Sequence, residues 1–217
     1  FLWAACAIVL AGFIVRVWDL GQPSLWADEV LTEFRAQAPL RESLDNILHT
    51  IDQVPLYFMF LRVFPTENEF LLRLPSVIMG IMGVALVIAA TVRIYHNYDM
   101  ALIAGIWLAF NPFHIWLSRT ARSYALIFFL AVALSYFFLR LIKQPDNRRA
   151  WIMFTFSSAL AYMTHYSLLA VPFVQAVVLI VCLHDHFEFA KRWFMAQVVA
   201  ALPMLVWIPE LKRLLIL

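Results

Sequence analysis

Charge is the first thing this sequence is short of. Only 14% of its 217 residues are Asp, Glu, Lys or Arg, and 64% are hydrophobic. A water-soluble domain carries about 25% charged residues. Roughly half that share leaves too little polar surface to clothe a water-exposed globule, so a soluble domain is excluded and lipid must solvate much of the surface. Cysteine is nearly missing as well. Cys6 and Cys182 both lie in apolar runs with no CxxC spacing, which argues against a zinc site or a disulfide framework. Glycine is scarce, at five residues, and no repeat, low-complexity tract or flexible linker stands out, so 1–217 reads as one domain. The net charge of +2 gives no ground for nucleic-acid binding. The apolar opening has no basic flank or small-residue cleavage site, and it reads as the end of a true span rather than a signal peptide. The last residues stop in mid-pattern and are expected to continue into a longer protein.

What the sequence does have is apolar runs, at about 20 residues per bilayer crossing. Seven are expected to span: 1–17, 70–92, 100–115, 123–142, 151–163, 166–183 and 193–208. In lipid these must be helices, because each backbone polar group needs a partner within its own segment. The expected fold is therefore an all-α integral membrane protein, a polytopic bundle of about seven spans. Residues 18–69 differ. They hold nine of the fourteen acidic residues, and the pieces 40–51 and 56–64 read as helices lying at the interface. Arg93, then Arg140, Lys143, Arg148 and Arg149, then Lys191 and Arg192 fall in alternate short loops. The positive-inside rule makes that side cytoplasmic. The 18–69 loop, His114 to Arg122 and the turn at Thr164 and His165 then face outward.

The outward side collects the unusual residues: Asp28 and Glu29 after Trp26, Arg119 and Arg122 ahead of the fourth span, and His165. Singly, each reads as an ordinary interface residue. Arg62 and Arg73 can snorkel with no further role, and Arg119 and Arg122 can meet common lipid headgroups. Together they suggest a site for an anionic headgroup beside an acidic base, since the planar guanidinium suits phosphate oxygens and a carboxylate can take a proton from a hydroxyl nucleophile.

Several stretches carry a resemblance. Arg16 ends the first span, and Ser24-Leu25-Trp26-Ala27-Asp28-Glu29 follows. Next come Val54-Pro55-Leu56-Tyr57 and Glu69-Phe70-Leu71-Leu72-Arg73-Leu74-Pro75-Ser76. The series continues with Asn111-Pro112-Phe113-His114-Ile115-Trp116, Ala121-Arg122-Ser123-Tyr124 and Thr164-His165-Tyr166. In this order and spacing the chain resembles the N-terminal half of a glycosyltransferase family 39 membrane protein, the group of the protein O-mannosyltransferases and the lipid A aminoarabinose transferase. Two positions depart from the pattern. Thr120 stands where many bacterial relatives have a glutamate, and Val54 replaces the first residue of a Pro-Pro pair.

The resemblance implies a sugar donor carried on a polyprenyl phosphate, a lipid or protein acceptor, and an inverting transfer to an acceptor hydroxyl on the outer face. It implies Asp28 as catalytic base with Glu29 its partner in the motif, and Arg122, His165 and Arg119 at the donor phosphate. No metal ligands are assigned, and a divalent metal is left open as a cofactor. The expected setting is a bacterial inner (plasma) membrane with the active face outward, among membrane lipids and with other membrane subunits allowed. The alternative is a glycosyltransferase-like, non-catalytic subunit of a larger complex. A transporter or channel fits less well, because charges inside spans mark pathways and the span interiors carry almost none.

Overall fold

A computed structural model describes residues 1–48, 54–64 and 66–207. Among them the secondary structure is helical throughout. The helices are α1 (Leu2–Val17), α2 (Ala27–Gln37), α3 (Leu40–Leu48), α4 (Leu56–Leu61), α5 (Glu69–Tyr95), α6 (Tyr98–Ala109), α7 (Pro112–Ser118), α8 (Tyr124–Lys143), α9 (Arg148–Tyr162), α10 (Ala170–Cys182) and α11 (Phe187–Ala201). Short 3-10 turns cover Tyr166–Leu169 and Leu202–Trp207.

Asparagine starts four of these helices. Asn68, Asn97, Asn111 and Asn147 each accept the backbone N–H three residues on, at 2.9–3.0 Å. That bond satisfies one of the donors a helix N-terminus leaves without a partner. Asn111 does so in the middle of a sequence run expected to be one span. Pro112 follows it as the first residue of α7, so α6 ends, α7 begins, and the two meet at a bend of 63°. Proline has no N–H to continue the preceding ladder and its φ suits a first turn.

This elbow bears on the count of spans. Among the described residues two helices, α5 and α8, are long and apolar enough to cross a bilayer, and the elbow pair α6–α7 makes a third if taken as one broken span. The expectation of seven is corrected accordingly. At about 1.5 Å per residue, the fifteen residues of α9 or α11 fall short of a hydrocarbon core about 30 Å thick. Both helices also carry arginine or lysine in their first two turns. α1, with sixteen residues, and the stretch Tyr166–Cys182 are apolar but short. The chain is thus a helical membrane protein with fewer full-length crossings than its apolar runs suggested.

α5 is the central element, packed against α1, α6, α7 and α8; α9 packs on α8 and α11 on α9. α7 lies very close to α5. A Cβ on Gly80 would stand 2.2 Å from Ser118 Oγ, so only glycine lets α7 approach that far. The elbow is further tied by Arg16 at the end of α1. This wholly buried side chain donates to the carbonyls of Gly12 and Ala109 at 2.8 Å, to Leu108 at 3.4 Å, and to His114 Nδ1 at 2.8 Å. Leu108 and Ala109 are at the end of α6, where the helix break leaves carbonyls without an intrahelical donor, and the guanidinium supplies one. Accepting at Nδ1 puts the neutral imidazole's proton of His114 on Nε2.

The described residues of the 18–69 segment fold onto one end of this bundle. α4 was expected at the interface, yet Tyr57, Phe58 and Leu61 are buried in the core it shares with α8 and α9, and Leu56 N–H donates to Met163 O at 2.9 Å. In α3, Ile47 is buried; Ile51, expected on the same face, lies outside the described residues. Arg62 donates to Ala36 O and Ala38 O at 3.0 and 2.6 Å, tying off the C-terminus of α2 rather than snorkelling. The opposite end carries the basic turns. There Lys143 Nζ donates to Ile94 O at 2.6 Å, and Arg192 meets Asp146 at 3.1 Å.

Candidate active site

The acidic motif opens α2, with Asp28 and Glu29 in its first turn, where the positive end of the helix dipole favours anions. Successive residues on a helix are rotated by about 100°, so two adjacent acids face different surroundings. The Glu29 side chain is 1% exposed and the Asp28 side chain 46%.

Glu29 is fully engaged. Its Oε1 accepts from Arg73 Nε at 2.9 Å and from the Ala121 backbone N–H at 2.8 Å, and its Oε2 accepts from Arg73 Nη2 at 2.7 Å. Arg73 in turn donates to the carbonyls of Leu20, Pro23 and Ser24 at 2.9, 2.8 and 3.2 Å. This bidentate pair therefore clamps the α1–α2 connection, the first turn of α2, α5 and the segment before α8 together. Sequence reasoning allowed Arg73 to be a snorkelling residue. It is buried at the centre of the clamp, and no local pattern could reveal a partner 44 residues away.

Asp28 has the opposite character. Its carboxylate is half-exposed and lies 3.9 Å from Arg122 Nη2, while its backbone carbonyl accepts from Thr32 Oγ1 at 2.8 Å. The Arg122 guanidinium lies over the Tyr124 ring, 6.0 Å from its centroid. The Arg122 backbone is held by Ser76 Oγ, which donates to its carbonyl at 3.2 Å and is also 2.7 Å from the Tyr57 hydroxyl. Burial pushes the Tyr57 hydroxyl well above the usual tyrosine range, against the smaller downward pull of its Ser76 bond. It stays a neutral hydroxyl at working pH. A small recess beside it is lined by Thr32, Tyr57, Arg122 and Thr164.

His165 follows Thr164 at this same end. Its Nδ1 accepts the Ser167 N–H at 3.1 Å and lies 2.9 Å from Ser167 Oγ, starting the 3-10 turn. Arg119 is separated from Arg122. It lines a cleft of about 540 Å³ with Trp26, Trp116, Thr120 and the Glu29–Arg73 pair. The segment 119–122 thus crosses the start of α2. Arg119 and Thr120 face the cleft, Ala121 binds Glu29, and Arg122 meets Asp28. Thr120 Oγ1 bonds Trp116 O at 2.9 Å.

The acids do not suit a divalent metal. Glu29 is spent on Arg73 and Ala121, which leaves Asp28 facing a cation, and among the described residues no three His, Cys, Asp or Glu side chains gather.

A half-exposed carboxylate thus lies beside a cation, backed by a buried ion pair, at one end of a membrane helix bundle. Residues 55–210 match the family described as dolichyl-phosphate-mannose-protein mannosyltransferase, and the chain belongs to that family, in agreement with the glycosyltransferase family 39 resemblance. Among curated proteins none matches the chain. The family match contains Arg73, Arg119, Arg122 and His165, while Arg16, Asp28 and Glu29 precede it and are joined to it by the contacts above.

Proposed function

We propose that the chain transfers a sugar from a polyprenyl-phosphate donor to an acceptor hydroxyl at the end of the bundle bearing Asp28. The family supports membrane glycosyl transfer of the mannosyltransferase type. The observation that carries the finer reading is the pairing of a half-exposed Asp28 with Arg122 at 3.9 Å, beside a Glu29 that has no oxygen to spare.

Asp28 takes the proton of the acceptor hydroxyl as its oxygen forms a bond to the anomeric carbon. The bond from that carbon to the phosphate oxygen breaks, and the electron pair leaves with polyprenyl phosphate. Arg122 binds the phosphate and stabilises its growing charge, and His165 lies at the same end as a further donor to it. Attack from the face opposite the departing phosphate inverts the anomeric centre. The half-exposed position of Asp28 lets an acceptor reach it, and Glu29 with Arg73 keeps the first turn of α2 in register.

The donor half of this scheme is tested by affinity. Arg122→Ala in the full-length protein is expected to weaken binding of a polyprenyl phosphate by about 10- to 150-fold, the value of a charged-group hydrogen bond of about 1.5–3 kcal/mol. Arg149→Ala, at the other end of the bundle, is expected to leave it unchanged. Equal affinities of the two variants in nanodiscs would defeat the assignment and favour a non-catalytic subunit. Orientation has its own test, by labelling single cysteines in intact cells with an impermeant thiol reagent. A cysteine at Asp45 should react and one at Asn147 should not; the reverse pattern would turn the site inward.

A further inference from the structure

The Asp28–Arg122 reading leaves the cleft on the other side of the 119–122 segment without a role. We infer that this cleft is a docking site for an anionic phospholipid, with the phosphate at Arg119 and the acyl chains along the outside of the α6–α7 elbow. The inference does not depend on sugar transfer, and it holds for an enzyme or a non-catalytic subunit alike.

Charge is the first support. The cleft contains Glu29, Arg73 and Arg119. The first two neutralise one another in a buried bidentate pair, which leaves the cleft with the net positive charge of Arg119. Among the described residues no carboxylate pairs with that guanidinium. Arginine's planar fork is matched to two phosphate oxygens, and Ser24 on the cleft wall brings a hydroxyl suited to a glycerol headgroup.

The second support is the surface leading away from the cleft. Trp26 and Trp116 at its wall are exposed, and so are Phe113 on α7, Phe110 at the elbow, and Trp107 and Ile103 on α6. Phe113 and Trp116 are one turn apart on α7, with rings stacked at 5.9 Å. Ile103, Trp107 and Phe110 are spaced to share one face. Four aromatic side chains and an isoleucine thus run from the cation down the elbow, as a lipid with its headgroup at the bundle end requires. Tryptophan is favoured at headgroup level, where its ring is apolar and its N–H is polar. The donor phosphate is kept apart, since Arg122 is directed to Asp28 and Ala121, between the two arginines, is fixed to Glu29.

The test uses the full-length protein in nanodiscs of phosphatidylcholine doped with phosphatidylglycerol. The protein is then released into mild detergent and its retained lipid identified by native mass spectrometry. Wild type is expected to retain phosphatidylglycerol in preference to phosphatidylcholine. Arg119→Gln should weaken that retention by about tenfold or more, and Trp116→Ala should weaken it too. Arg149→Gln should retain it as wild type does. Equal retention by wild type and Arg119→Gln overturns the inference, as does equal retention of the two lipids. Displacement of phosphatidylglycerol by millimolar inorganic phosphate would reduce the site to a phosphate site and overturn the lipid assignment.

Discussion

Replacing Asp28 with asparagine in the full-length protein is expected to lower turnover by about 10²–10⁴-fold, with the thermal midpoint and the affinity for polyprenyl phosphate close to wild type. Asparagine has nearly the shape of aspartate but cannot accept the proton released when the acceptor oxygen attacks. The side chain is 46% exposed and makes a single ion contact at 3.9 Å, so its charge contributes little to stability. The loss should therefore fall on the chemical step. Asp45→Asn, in α3 of the same loop but outside the motif, is expected to retain full turnover. A turnover of Asp28→Asn equal to wild type, measured with a polyprenyl-phosphate-linked sugar under saturating donor, removes Asp28 from the mechanism.

Glu29, one residue on, should behave in the opposite way. Glu29→Ala or Arg73→Ala leaves a buried charge without its partner, a change that costs about 3–5 kcal/mol in comparable buried pairs. Either variant is expected to lose most of its folded yield in detergent, and its thermal midpoint should fall steeply. Turnover would be lost with it, but as a consequence of the lost clamp. Replacing both residues together by methionine removes both charges, and paired apolar replacements are often neutral or better, so the double variant should recover much of the stability either single variant loses. If Glu29→Ala melts like wild type, the pair is not the clamp described here. Comparing the two acids within one family of variants separates a residue that acts on substrate from one that acts on the fold.

That division was not legible in the sequence, where Asp28 and Glu29 stand side by side in one motif. It arises because α2 begins at Ala27, which turns one acid toward Arg122 and the other into the protein, and because Arg73 reaches Glu29 from 44 residues away. A local pattern carries neither fact, and Arg73 read equally well as a snorkelling interface residue. Arg119 and Arg122 looked like one cationic cluster for the same reason. Three residues apart, they are split by the Ala121–Glu29 bond into a cleft on one side and the Asp28 contact on the other.

Other features were readable. The shortage of charge required a membrane helix bundle. The ordered motifs around Pro55, Arg73, Arg122 and His165 pointed to the family whose match spans 55–210. The count of crossings was not readable. Apolar composition marks 151–163 and 193–208 as candidates, but only the helix ends show α9 and α11 to be fifteen residues each.

The most direct test of the central claim is a cryo-EM map of the full-length protein with a polyprenyl-phosphate sugar bound. Density for the phosphate is expected within hydrogen-bond reach of Arg122, with the anomeric carbon open to an oxygen held at Asp28 and the Glu29–Arg73 pair intact beneath. Phosphate density at the opposite, basic end of the bundle, beside Arg149 or Arg192, would contradict it.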